Sequence, residues 1–128
     1  MIRRKSIYLD GFGHKNPIPA ACLVDGLLMS GIIYGLDVAT GTPADGMDAQ
    51  CRLMFEHLRA ILKAADATPG DLVKLNVFLK DRSQRDALNR EWLAMFPDPA
   101  NRPVRQAMQA DLDGGKLIQC DFVARLQD

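Results

Sequence analysis

The chain has few of the residues on which many activities depend. Its three cysteines, Cys22, Cys51 and Cys120, are odd in number and far apart. They form no CxxC or Cys/His pattern, which excludes a disulfide framework and a zinc knot. Their apolar neighbours mark them as reduced and buried. Two histidines, His14 and His57, give a Ser-His-Asp triad little to build on. Charge of one sign is also missing, since 16 basic residues balance 16 acidic ones. That argues against nucleic acid as a partner, because binding phosphates favours a basic excess. The one basic cluster, MIRRKS, reads as a solvated terminus. No apolar run approaches ~18 residues, so no membrane-spanning helix is expected. A secretory apolar region is absent too, which makes the cytoplasm the default compartment.

What is present suits a globular domain. Apolar residues make up 48% and charged residues 25% of the chain, both ordinary values. The length suits a single domain over 1–128, able to bury roughly two thirds of its unfolded surface. RKSIYLDGFG reads as a strand and a glycine turn, followed by a proline-bearing extended segment. ACLV and LLMSGII flank Asp25-Gly26, a two-residue hairpin signal. YGLDVATGTPADG reads as loop. Over residues 47–65 the apolar Cys51, Met54, Phe55, Leu58, Leu62 and Ala65 recur at helical spacing. Glu56, Arg59 and Lys63 fall opposite, and His57 is expected on the helix surface. Residues 71–80 form a strand with Leu75, Val77 and Leu79 on one face. A second helix spans residues 84–96, with Leu88, Trp92 and Met95 or Phe96 as its stripe. Residues 103–112 and 117–124 alternate as two further strands around a DGGK turn.

The order β-β-β-α-β-α-β-β specifies an α+β fold with both helices on one sheet face. The second face keeps apolar side chains and has no helix left to cover it. Another copy of the chain is the simplest cover, so the chain reads as a homo-oligomer.

Arg105 is the strongest single candidate for chemistry. A charge inside a strand is costly unless paired, and its planar fork fits a carboxylate. Its structural alternative is a salt bridge to a surface acid. Gln119 and Asp121 share a strand face about 7 Å apart. An amide can hold a water but cannot take its proton, whereas Asp121 could. Ser30 and Gly31 could offer a hydroxyl and a backbone N–H to an anion. His14, in a Gly/Pro loop, could reach a cleft. Asn89 is a helix amide. If DGGK closes a two-residue hairpin, Arg105 faces Ala124 and Gln119 faces Ala110. Arg105 and Gln119 are then about 17 Å apart, too far for one pocket in a monomer.

The stretches LLMSGIIYGLDVATG, QCRLMFEHLRAILKAADATPGDLVKLNVFLKD, LNREWLAMFP, RPVRQAM and IQCDFVA, in that order, resemble the RidA/YjgF reactive-intermediate deaminase family. The resemblance implies a chorismate-mutase-like six-stranded sheet with two helices, a homotrimer with a barrel-like core, and ligand sites in clefts between subunits. It also implies hydrolysis of 2-imino or enamine acids to 2-keto acids and ammonia, with no metal and no cofactor. On this resemblance Arg105 clamps the substrate carboxylate. Asn89, Ser30 and Gly31 match positions around the ligand, and His14 and Asp121 are further candidates for binding it. Gln119 falls where the deaminases carry a water-activating glutamate. Ala107 stands in place of a cysteine, and an N-terminal tyrosine is missing. Two readings stay open: an imine or enamine hydrolase on a small carboxylate, or a non-catalytic carboxylate-binding or regulatory trimer.

Overall fold

The computed structural model describes residues 3–11 and 16–127. An antiparallel meander comes first: β1 (Arg4–Ile7), β2 (Ala21–Val24) and β3 (Leu27–Ser30). The turn between β2 and β3 is Asp25-Gly26, with φ of 50° and 81°. Positive φ at both central residues gives the twist that suits a two-residue hairpin, and Asp and Gly tolerate it best. A short β4 (Ile33–Tyr34) carries on the line of β3. β5 (Leu36–Asp37) and β6 (Thr42–Pro43) then form a small separate hairpin in a stretch that reads as loop from sequence.

Helix α1 (Met47–Ala64) buries the expected stripe of Cys51, Met54, Phe55, Leu58 and Leu62, with Ile61 added. Asp48 in its first turn and Lys63 in its last complement the helix dipole. A capping box follows, in which Asp71 accepts a 2.8 Å bond from the Thr68 N–H around a single 3-10 turn. The chain continues through β7 (Leu72–Leu79), α2 (Asp86–Met95), β8 (Val104–Gln109) and β9 (Ile118–Arg125). Among the described residues, no helix is long and apolar enough to cross a membrane.

The main sheet runs β1-β2-β3-β9-β7-β8, with β4 also against β9. β7 and β8 are parallel, joined by the α2 crossover, and the other pairs are antiparallel. The hairpin that a two-residue DGGK turn would close does not form. β9 enters the middle of the sheet between β3 and β7, and β8 stays at the edge. Arg105 therefore pairs with Leu75 rather than Ala124, and Gln119 with Phe78 rather than Ala110. The central place puts all the even positions of β9 under the helices. Ile118, Cys120, Phe122 and Ala124 are each at most 1% exposed. Burying a phenylalanine and an isoleucine this fully stabilises the fold by about 1.5–3 kcal/mol per side chain.

The other face is open. On it lie Leu27, Met29, Val104 and Met108, between 43% and 63% exposed, beside half-buried Tyr34, Phe78, Gln119, Asp121 and Val123.

β3 and β4 are not one regular strand. Met29 pairs with Val123, but Ile33 pairs with Cys120, so four steps on one strand match three on the other. This one-residue bulge lets Leu28 and Ile33, an odd distance apart, both reach the core at 0% exposure.

Two expectations about single residues need correction. His57 is buried on α1, where its Nε2 hydrogen-bonds the Leu36 carbonyl at 2.8 Å. The β5–β6 hairpin folds over the flank of α1 and supplies that acceptor. Cys22 is only half-buried, whereas Cys51 and Cys120 are buried as expected.

Candidate functional site

Arg105 lies on the edge strand β8, on the face that the helices cover, in register with the buried Leu75. Helix α2 crosses above it. One guanidinium nitrogen, Nη2, donates to the Oδ1 of Asn89 at 2.9 Å. The ring of Trp92 lies under the same group, its centroid 5.0 Å from Cζ. Asn89 and Trp92 are three residues apart, so one helix face presents both. The planar cation is thus stacked on one side and hydrogen-bonded at one corner.

The opposite corner is different. Arg105 Nη1 is shielded from solvent and has no hydrogen-bond partner. A buried donor left unmatched costs about 1–3 kcal/mol. Among the described residues no carboxylate forms a salt bridge with this arginine, so the simple structural reading of a surface ion pair does not apply. Partial burial, and after it repulsion from Arg85, hold Arg105 below the ordinary arginine pKa. An arginine starts so high that it stays charged at neutral pH. The arrangement is an oriented cation with an unmatched N–H, which is what a carboxylate requires.

Gln119 is elsewhere. It points to the open face from the centre of the sheet, paired with Tyr34 on one side and Phe78 on the other. Lys116 sits over the Tyr34 ring at 4.8 Å. Asp121, two residues along the same face, accepts a 2.8 Å bond from the Asn76 side chain. Within one chain Arg105 and Gln119 are therefore on opposite faces of the sheet.

Ser30 and Gly31 sit at the bulge, and their donors are already used. The Ser30 hydroxyl donates to the Gly31 carbonyl and accepts from the Phe122 N–H, both at 2.9 Å. The Gly31 N–H donates to Ala20 at 2.9 Å. The expected cradle of a free hydroxyl and a free N–H is not formed, because the bulge consumes both to replace lost ladder bonds. His14 lies outside the described residues.

Trp92 reads from sequence only as part of a core stripe, so its place under Arg105 is new. The signal was available, since Arg85, Asn89 and Trp92 follow one another at helical spacing in RDALNREW. The two aromatic neighbours of Gln119 could not be read without the strand order.

Comparison with known proteins agrees with the fold. The family model described as Endoribonuclease L-PSP matches residues 10–124. Over 91 residues the chain is 35% identical to the 2-iminobutanoate/2-iminopropanoate deaminase of Salmonella typhimurium, covering 70% of this chain and 71% of that one. It is 27% identical over 120 residues to a RutC family protein of Pyrococcus abyssi, covering 88% and 93%. The crystal structure of RidA from an Antarctic Psychrobacter matches with a TM-score of 0.86 at 27% identity, over 95% of this chain and 99% of that one.

Proposed function

Because this chain belongs to the RidA/RutC family, described as Endoribonuclease L-PSP, we propose that it is a reactive-intermediate deaminase acting on a small 2-imino or enamine acid. The observation that carries this reading is the Arg105 guanidinium, oriented by Asn89 and Trp92 and holding one unmatched N–H. In the proposed reaction Arg105 grips the substrate carboxylate. Water adds to the imine carbon, its proton passes to the imine nitrogen, and the carbinolamine collapses to a 2-keto acid and ammonia. No metal or organic cofactor takes part in this reading.

Gln119 would orient the water. It faces away from Arg105 in its own chain, so the site draws Gln119 from a neighbouring copy. Two features support this. Arg105 is on an edge strand, where another chain can approach. The open face that carries Gln119 also exposes Leu27, Met29, Val104 and Met108, which a partner would cover. The proposed assembly is a homotrimer with its sites in the clefts between subunits. Its partners are then other copies of itself and a small carboxylate, with neither nucleic acid nor membrane involved, and its setting is the cytoplasm.

A second reading rests on the amide at 119, which cannot act as a base: a trimer that binds the carboxylate without turning it over. One assay separates the two. 2-Iminopropanoate is generated in situ, and its decay is followed with wild type, Gln119→Glu and Arg105→Ala. Acceleration by wild type that disappears in Arg105→Ala supports the enzyme. Acceleration by Gln119→Glu alone supports the binding protein. No effect from either removes imine hydrolysis from consideration.

A further inference from the structure

The face of α2 that holds Arg105 carries a third residue. Arg85, at the start of the helix, is four residues before Asn89 and seven before Trp92, and the Asn89 N–H bonds its carbonyl at 2.8 Å. The three side chains form one row along the helix. Arg85 is half-buried. Its Nε is tied down by a 2.9 Å bond to the Arg82 carbonyl, so the head group is held in place.

Two arginines that repel each other, Arg85 at the start of α2 and Arg105 on β8, are costly without an anion between them. Among the described residues no carboxylate forms a salt bridge with either. Asp81 is close in sequence, but the Ser83 hydroxyl and N–H already hold it at 2.7 and 3.0 Å. Asp86, next in the chain, is exposed and pairs with neither arginine. The repulsion is felt across the site: after burial, which is the larger cause, Arg85 is the charge that lowers the pKa of Arg105.

We infer that this site is built for an acid with two anionic groups, a 2-imino or 2-oxo dicarboxylate, with Arg105 on the carboxylate beside the reacting carbon and Arg85 on the distal one. The inference rests on the proposed carboxylate role of Arg105 and narrows the substrate. The spacing agrees with it. Arg85 is one helical turn, about 5–6 Å along the axis, from the residue that holds Arg105. An acid of about four or five carbons spans such a gap. Arg105 then meets one carboxylate through its unmatched Nη1, and Arg85 meets the other through its terminal nitrogens, its Nε being held by Arg82.

The test uses 2-oxo acids as probes in place of the short-lived imines, freshly dissolved and measured by calorimetry at low ionic strength. 2-Oxobutanoate is the monocarboxylate, and 2-oxosuccinate and 2-oxoglutarate are the dicarboxylates. Wild type should bind the better dicarboxylate at least about tenfold more tightly than 2-oxobutanoate, the effect of one added charge-assisted contact. Arg85→Met should erase that preference and leave 2-oxobutanoate within about twofold of wild type. Arg90→Met removes the same charge from an outward position paired with Asp48, and it should keep the preference. Equal binding of mono- and dicarboxylates by wild type overturns the inference, as does a preference that survives Arg85→Met. If 2-oxobutanoate still binds and depends on Arg105 in those cases, the carboxylate role of Arg105 stands alone. Binding of no probe, or binding unchanged in Arg105→Met, overturns both.

Discussion

Asn89 on α2 accepts a 2.9 Å hydrogen bond from Arg105 on β8, and this contact ties the first helix after β7 to the strand that follows it. It fastens the helix of a parallel crossover to its second strand through a charged group. The orientation of the cation therefore depends on how helix and sheet pack as well as on the rotamer of Arg105.

Breaking that contact should weaken substrate binding more than turnover. In the proposed reaction the clamp would grip the carboxylate equally before and during the chemical step, so its loss should appear in KM. Asn89→Ala is expected to raise KM for 2-iminopropanoate about tenfold, with kcat nearly unchanged. Arg105→Lys should do the same or worse, since an ammonium lacks the fork and stacks poorly on Trp92. Initial rates across substrate concentration check both.

Restoring a base at 119 should raise kcat. Gln119→Glu supplies a proton acceptor in place of an amide, and a positioned general base contributes about 10²–10⁴ in rate. Single-turnover measurements against wild type read this directly. A variant no faster than wild type would show that position 119 does not meet the water.

The exposed apolar residues of the open face should govern assembly. Val104 and Met108 are 63% and 43% exposed in the single chain. Were the chain monomeric, lysine at either place would be harmless. If copies cover this face, Val104→Lys with Met108→Lys should shift the species in solution to the single-chain mass of 14.1 kDa. Light scattering after size exclusion measures it.

Gly35 should not tolerate a side chain. A Cβ there would lie 2.4 Å from the Cα and carbonyl oxygen of Gln50, at the start of α1. Gln50 cannot retreat, because its amide bonds Ala44, Gly115 and the Leu117 N–H, at 2.9, 3.1 and 2.8 Å. Gly35→Ala is expected to cost about 1–3 kcal/mol in urea unfolding.

The buried thiols should resist reagents and make the fold sensitive to alkali. Burial, reinforced by Glu91 and Asp48, pushes Cys51 up to about 12 from 9.0. Burial raises Cys120 in the same direction, aided by Asp121. Both stay protonated in the native protein, so iodoacetamide at pH 8 should label neither until the chain is unfolded. Above pH 9 the unfolded chain ionises these thiols while the folded one does not. The unfolded state then binds fewer protons, and stability falls as pH rises from 9 towards 12. For Cys51 the slope is about 1.4 kcal/mol per pH unit. Cys51→Ala should flatten the decline in urea midpoints measured over that range.

Much of the fold is legible in the residues. The stripe from Cys51 to Leu62 gives α1, the Asp25-Gly26 pair gives its turn, and alternation gives the long strands. Local pattern does not reveal which strands pair. RPVRQAM and IQCDFVA with DGGK between them resemble a hairpin, yet the decisive fact is the helix of residues 86–95 between β7 and β8. A strand, a crossover helix and a strand pair in parallel, which sends β8 to the edge and leaves the centre to β9. Arg105 and Asn89 stand out as candidates by residue type and place. The roles of Trp92 and Arg85 emerge only once α2 is laid over β8. Ser30 looked available because the sequence does not show the bulge that uses its hydroxyl.

That bulge has a consequence for how the chain can vary. Between Ser30 and Ile33 one residue has no partner on β9. Removing it would leave three steps against three, with Ile33 still opposite Cys120 and still inward. Drift among related chains can therefore shorten this segment by one residue without turning the strand over, whereas a second loss would exchange Ile33 and Tyr34 between the two sides of the sheet.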